Sequence, residues 1–274
     1  MSLKGKRISN LLSILSPIHF FDYESTMNKT HKILVGHRGA AGLAPENTLI
    51  AIQKGLENKV DRIEIDVHQT QDGKIIVMHD ETLDRTTNGT GSVKSKTAAE
   101  IMNLDAGSWF SKDFEGEKIP LLVDVIKTID AKAELVIEVK YGHDFYPNIE
   151  QNIMDIIHQN QATDWCIIHS FDTKVLTKTH QIDPKIRLHK LFVFKFPFLP
   201  ILQSNKLEYF DFDAYPYIDE YSIFYRFANK GIIKRLKKMN KKVNVWTVNE
   251  VKDGKSLRAL GVDGIITDFP NKVK

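Results

Sequence analysis

Histidines, carboxylates, an arginine and a lysine gather at the ends of short apolar runs, and their types limit the chemistry available. His37-Arg38-Gly39 follows the run Ile33–Gly36, and His79-Asp80 follows Ile75–Met78. In Ile63-Glu64-Ile65-Asp66-Val67 the two carboxylates share a parity, so an extended chain projects both from one face. Leu135-Val136-Ile137-Glu138-Val139-Lys140 repeats the device with Glu138 and Lys140. Carboxylates that converge repel one another and lose hydration, a cost that cations among them relieve. Hard oxygen ligands select Mg²⁺ or Ca²⁺ over zinc. Glu64, Asp66 and Glu138 are therefore candidate ligands of one divalent ion, Mg²⁺ or Ca²⁺. The competing reading pairs each acid with Arg38, Lys140 or another base in a purely structural network. His37 and His79 are the natural acid–base pair, since an imidazole works in either direction near neutral pH. Arg38 and Lys140 beside a metal suit a phosphate oxygen, which favours phosphoryl chemistry over amide hydrolysis.

The elements needed to position these residues follow from the apolar pattern. Strand-like runs fall at Ile33–Gly36, Arg62–Val67, Leu135–Val139, Cys166–His169, Ile186–Leu191, Tyr209–Asp213, Val243–Val248 and Gly264–Thr267. Helical patterns lie between most of them: Thr48–Asn58, Leu121–Ile129, Ile149–Asn160, Thr173–Gln181, Gly231–Met239 and Lys252–Ala259. Alternation of this kind predicts parallel strands with crossover helices. About eight such units in roughly 240 residues is the size of an α/β (β/α)8 TIM-like barrel, which builds its site at the C-terminal strand ends. Gln71-Asp72-Gly73 followed by Ile75–Met78 predicts a hairpin projecting from the second strand. With the irregular stretch that follows, it forms a small insertion at about 68–118. Residues 32–274 are thus expected to form a single catalytic barrel domain, preceded by an N-terminal segment, 1–31.

Several classes are excluded. Hydrophobic residues make up 42% of the 274 and charged residues 27%, enough apolar content for a large core. The net charge is only +3, so no basic stripe suggests nucleic acid; the run Lys234 to Lys242 reads as a solvated helix face. Cys166, the single cysteine, lies in an apolar run and reads as a buried thiol. There is no Gly-x-Gly-x-x-Gly turn, Gly-x-Ser-x-Gly elbow, phosphate-binding Gly-x-x-x-x-Gly-Lys-Ser/Thr loop, His-Glu-x-x-His pair or His-x-His at the first strand. No stretch reaches the length of a membrane helix. The opening residues imitate a signal peptide, but Asn10, Ser13, Ser16 and Pro17 interrupt its apolar part and no small-x-small site follows. We read them as an amphipathic segment docked on the domain or held at a membrane surface, with a cytoplasmic location favoured over secretion.

At these residues the sequence resembles the glycerophosphodiester phosphodiesterase family. The resemblance covers roughly 33–270. It rests on His37-Arg38-Gly39, Pro45-Glu46-Asn47-Thr48, Glu64-Ile65-Asp66-Val67, His79-Asp80 with Leu83-Asp84-Arg85-Thr86, and Glu138-Val139-Lys140. Trp246-Thr247-Val248-Asn249 and Gly261-Val262-Asp263-Gly264-Ile265-Ile266-Thr267-Asp268 complete it. Each motif is weak alone; in this order and spacing they are specific. The resemblance implies a TIM-like barrel, a divalent metal on Glu64, Asp66 and Glu138, and His37 and His79 as general acid and base. It further implies Arg38 and Lys140 on the phosphate, Glu46 near the metal or fixing the His37-Arg38 turn, and Trp246 as a wall against the glycerol or leaving group. The implied reaction releases glycerol 3-phosphate and an alcohol; rivals are a lysophospholipase D, a phospholipase C-like enzyme, and an inactive barrel kept for binding.

Two apolar stretches are expected at the mouth: Leu191 to Leu202, with Phe192, Phe194, Phe196 and Phe198 alternating, and Tyr215, Tyr217, Tyr221, Phe224 and Tyr225. They read as a lid or barrel-top packing, or as a greasy rim for an acyl chain or a membrane surface, with a small-molecule or lysolipid phosphodiester as substrate. His68 and His169 stand near the site without an assigned role, and the oligomeric state is open.

Overall fold

The computed structural model describes residues 32–192 and 210–273. Within them, β1 (Ile33–Gly36) leads through α1 (Leu49–Glu57) to β2 (Arg62–Gln69), which turns back as β3 (Ile75–Val77). After α2 (Ala98–Met102) and α3 (Leu122–Ile129) come β4 (Glu134–Val139), α4 (Ile149–Gln159), β5 (Cys166–Ser170), α5 (Thr173–Ile182) and β6 (Arg187–Phe192). The chain ends with β7 (Glu220–Phe224), α6 (Lys230–Lys238), β8 (Lys242–Trp246), α7 (Val251–Leu260) and β9 (Gly264–Thr267). Eight strands pair in parallel in the order β1-β2-β4-β5-β6-β7-β8-β9, and β1 pairs with β9 to close the barrel. This is the expected (β/α)8 barrel.

Local chemistry sets the ends of the helices. Thr48 caps α1 by accepting from the Ala51 N–H, Asp172 caps α5 and Asn229 caps α6. In α3 the buried set Leu122, Val125, Ile126 and Ile129 follows helical spacing and lies against the sheet's outer face. Cys166 is a fully buried thiol of that layer, and burial pushes its pKa up to about 12.

The strands divide their residues between two environments. In β2, Ile63, Ile65 and Val67 join the apolar layer under the helices, while Arg62, Glu64 and Asp66 turn inward. The inward charges near the N-terminal end neutralise one another. Arg62 donates to both Glu220 oxygens at 2.7 and 3.0 Å and to Glu134 at 2.6 Å; Arg187 also donates to Glu134, and Asn244 to Glu220. A buried charge set of this kind is tolerated because every member is paired. It plugs the floor of the barrel and leaves the opposite end open.

One expected strand is wrong. Tyr209–Asp213 is not the sixth barrel strand: Tyr209 lies outside the described residues, Phe210 to Asp213 form no strand, and the strand is β7, Glu220–Phe224. The alternation Phe210-Asp211-Phe212-Asp213 imitates a half-buried strand. Phe210 and Phe212 instead pack with Phe192 and Tyr221 on the outer side of the sheet. The true strand hid its signal because its inward residues are Glu220 and Ser222, not apolar ones.

β3 pairs antiparallel with β2, with Val67 opposite Val77, as the hairpin reading required. Ile76, Met78, Leu83, Val93, Ile101, Ala106 and Ile119 form a small separate core for the inserted stretch.

Candidate active site

The turn after β1 carries the first catalytic candidates. Arg38 (φ 50°) and Gly39 (φ 89°) both adopt left-handed backbone. A Cβ on Gly39 would stand 2.6 Å from the Ala51 carbonyl carbon, so only glycine lets α1 approach here. The turn aims the Arg38 N–H at Glu64, 2.9 Å away. Nδ1 of His37 hydrogen-bonds Asp268 at 2.6 Å, and Asn249 donates to the other Asp268 oxygen at 2.6 Å. A carboxylate only accepts, so Nδ1 carries the proton and Nε2 is left for the pocket.

His79 is oriented in the same way, with Nδ1 donating to Asp80 at 2.6 Å. Arg85 grips Asp80 and, with its other donors, Glu46, which also accepts from Arg38 at 2.7 Å. Glu46 therefore ties the two histidine turns together and stands outside the carboxylate trio. His68, fully buried, supports this side: its Nε2 donates to the His79 carbonyl at 3.0 Å, so its Nδ1 accepts from the Tyr146 hydroxyl at 2.9 Å. Burial lowers its pKa to about 4, which keeps it neutral.

Glu64, Asp66 and Glu138 each offer a carboxylate oxygen, and these atoms lie within 4.8 Å of one another. Lys140 reaches Asp66 at 2.8 Å and Glu138 at 2.7 Å, Arg38 comes within 3.3 Å of Asp66, and Asn47 donates to Asp66 at 2.8 Å. Asp66 is thus well compensated; although burial opposes its charge, Lys140 and Arg38 hold its carboxyl far below the usual range. Glu64 is the opposite case. Burial and the Asp66 charge push it up, to about 8, and its Oε1 is buried without a hydrogen-bond partner among the described residues. An orphaned carboxylate oxygen within a trio of oxygen donors fits a hard divalent cation.

The two histidines are tuned apart. Burial disfavours charge on both, but the Asp268 hydrogen bond and the Glu64 charge outweigh it and raise His37. At His79 burial prevails, helped by the Lys140 charge and only partly countered by Asp66, and the pKa falls.

His37, Arg38, Glu64, His79, Glu138 and Lys140 line one cavity of about 200 Å³; Asp66 and Glu46 stand behind them, bonded to Lys140 and Arg38. Its remaining wall is His169, Phe171, Leu191, Trp246, Thr247 and Ile266. A larger groove of about 320 Å³ between β3, α3 and α4 is lined by Ile75, Leu121, Val123 and Ile156 and brings no such set together. Trp246 packs edge-on against Phe171 and Phe224 at the mouth. Of the other expected rim aromatics, four described ones are placed elsewhere, while Tyr225 packs edge-on against Phe224. Phe192 and Tyr221 belong to the outer layer, Tyr215 stacks on Phe210, and Tyr217 stacks on His180 of α5. Phe194, Phe196 and Phe198 lie outside the described residues, as does the segment 1–31. Sequence reasoning passed over Asp268, Asn249, Asn47 and Arg85 as site residues, although each stands inside a motif it had singled out.

Comparison with known proteins agrees with this geometry. Residues 37–272 match the model of the glycerophosphoryl diester phosphodiesterase family. A glycerophosphodiester phosphodiesterase of Caldanaerobacter subterraneus subsp. tengcongensis is 36% identical, the match covering 87% of this chain and 94% of that protein. One from Bacillus subtilis is 31% identical, over 95% of this chain and 92% of its own length. Among solved structures, an Oleispira antarctica phosphodiesterase in complex with the product sn-glycerol-3-phosphate superposes with a TM-score of 0.79 at 25% identity, covering 88% of this chain and 94% of that one. The match runs through the histidine turns, the carboxylate strands and the closing β9 motif alike, and the chain belongs to the glycerophosphoryl diester phosphodiesterase family.

Proposed function

We propose that this phosphodiesterase hydrolyses glycerophosphodiesters to sn-glycerol 3-phosphate and an alcohol, using His37 and His79 for proton transfer. The observation that carries the reading is the pair of imidazoles in one cavity, each with Nδ1 held by an aspartate at 2.6 Å beside a carboxylate trio. Glu64, Asp66 and Glu138 would hold one divalent cation, Mg²⁺ or Ca²⁺, which when bound supplies positive charge against the phosphate oxygens. Arg38 and Lys140 hold the phosphate by charge, preorganised by Glu46 and Asp66 and by Asp66 and Glu138 respectively. One imidazole removes the proton of the nucleophile, and the other delivers a proton to the departing alkoxide. The nucleophile is either water or the neighbouring glycerol hydroxyl; a cyclic phosphate among early products distinguishes the second. Trp246 and Phe171 form the wall against the organic group.

The test is product analysis with glycerophosphocholine. Glycerol 3-phosphate and choline support the reading; glycerol and phosphocholine overturn it. A lysophospholipid substrate is the second reading, favoured by the aromatic face of Phe171, Phe224 and Trp246 at the mouth. It brings with it peripheral contact with a membrane surface.

A further inference from the structure

Four residues lining the cavity carry buried polar atoms without a hydrogen-bond partner among the described residues: Arg38 Nε, Glu64 Oε1, both ring nitrogens of His169, and Trp246 Nε1. Arg38 and Glu64 belong to the cation and phosphate groups. His169 and Trp246 do not, and the rest of the lining, Phe171, Leu191, Thr247 and Ile266, is mostly apolar. His169 is 1% exposed, so water cannot satisfy its nitrogens as it would at a surface.

The register explains its position. Asp66 pairs with Glu138, Glu138 with His169, His169 with His189, and His189 with Glu220. Glu220 belongs to the floor plug on Arg62, whereas Glu64 and Glu138 line the mouth. Because barrel strands are staggered, each step along this row descends, and His169 stands one strand beyond Glu138, below the carboxylates. The ligand atoms that lie within 4.8 Å of one another come from Glu64, Asp66 and Glu138 and include no imidazole. A cation held there leaves His169 free for another partner.

We propose that His169 hydrogen-bonds a hydroxyl of the substrate's glycerol group and thereby selects polyol phosphodiesters over simple alkyl ones. The inference rests on the phosphodiesterase reading above. Burial, with His189 and Lys140 nearby, keeps the ring neutral, so it presents one N–H donor and one acceptor nitrogen. A hydroxyl can accept from the ring N–H or donate to the bare nitrogen, whichever faces the cavity; a phosphate oxygen, which only accepts, can meet the N–H alone. Trp246 Nε1 offers a second donor across the same apolar walls, so a short carbon chain bearing hydroxyls is matched in both its faces.

The experiment compares sn-glycerol 3-phosphate with ethyl phosphate by calorimetry, and glycerophosphocholine with ethyl p-nitrophenyl phosphate by turnover, on the full chain with Mg²⁺ or Ca²⁺ added. For His169→Leu we expect glycerol 3-phosphate affinity and glycerophosphocholine kcat/KM to fall about tenfold to a hundredfold, with the hydroxyl-free ligands changed by no more than about twofold. His169→Asn, which keeps a donor and an acceptor, should recover most of the loss. Equal losses on both classes, or none on either, overturn the proposal. If the leucine variant fails to fold, the ¹⁵N signals of the His169 ring in the wild type decide: they must shift with glycerol 3-phosphate and not with ethyl phosphate. If glycerophosphocholine is not hydrolysed by the wild type, the functional reading fails, while the two binding comparisons still judge His169.

Discussion

His37 and Asp268 stand 231 residues apart in sequence and share a 2.6 Å hydrogen bond. The bond crosses the seam where β1 pairs with β9, so barrel closure and the orientation of the His37 imidazole are the same event. Replacing Asp268 with asparagine should lower kcat by about 10²–10³-fold, since the ring loses its enforced tautomer. Steady-state kinetics on glycerophosphocholine, beside a melt that reports an intact fold, would check it; unchanged kcat would contradict the role.

The same pair makes a stability prediction with a defined sign. His37 is raised and Asp268 lowered, so both are charged in the fold between about pH 4 and the elevated His37 value. The Asp268 share is lost as pH falls below about 4, and the His37 share as pH rises through its folded value. The melting-temperature gap between wild type and Asp268→Asn should therefore be larger at pH 6 than at pH 9. An equal or larger gap at pH 9 would refute the ion pair.

Glu64→Gln should stabilise the cation-free protein and weaken cation binding. Burial and Asp66 hold the Glu64 carboxyl up, so the folded state binds more protons than the unfolded state between roughly pH 4 and 8, and stability falls as pH rises through that window. Glutamine removes that slope. With chelator present the variant should melt above wild type, by more at pH 8 than at pH 5; added Mg²⁺ or Ca²⁺ should raise the wild type alone. A cation that raises both equally would place the ion elsewhere.

Arg62→Leu tests the floor plug. Arg62 bridges Glu220 and Glu134 deep in the barrel, and removing it strands a buried carboxylate. Urea titration should show a loss of about 3–5 kcal/mol, as for other broken buried pairs. A loss within 1 kcal/mol would mean water or Lys242 compensates Glu220, which lies 3.4 Å from that lysine.

Most of the site was legible because strand parity and position in a barrel convert spacing into geometry. Glu64, Asp66 and Glu138 converge because each is an inward position near a C-terminal strand end. Local patterns do not encode what arrives from a distant turn. Asp268 and Asn249 reach His37 only through closure, and Arg85 reaches Glu46 from the insertion. β7 escapes the pattern for a related reason: Glu220 and Ser222 look exposed in sequence yet are buried, Glu220 against an arginine 158 residues away. Phe192, Tyr221, Tyr215 and Tyr217 misled because packing outside the sheet and a greasy rim demand the same residues.

The central claim is that His37 and His79 share one proton-transfer task beside a cation held by Glu64, Asp66 and Glu138. The direct test is release of glycerol 3-phosphate from glycerophosphocholine, with Mg²⁺ or Ca²⁺ and with the metal chelated, for the wild type and for His37→Asn and His79→Asn. The account predicts release that requires the cation and falls by about 10²–10⁴-fold in each variant. Release that survives chelation, or that either variant retains in full, would contradict it.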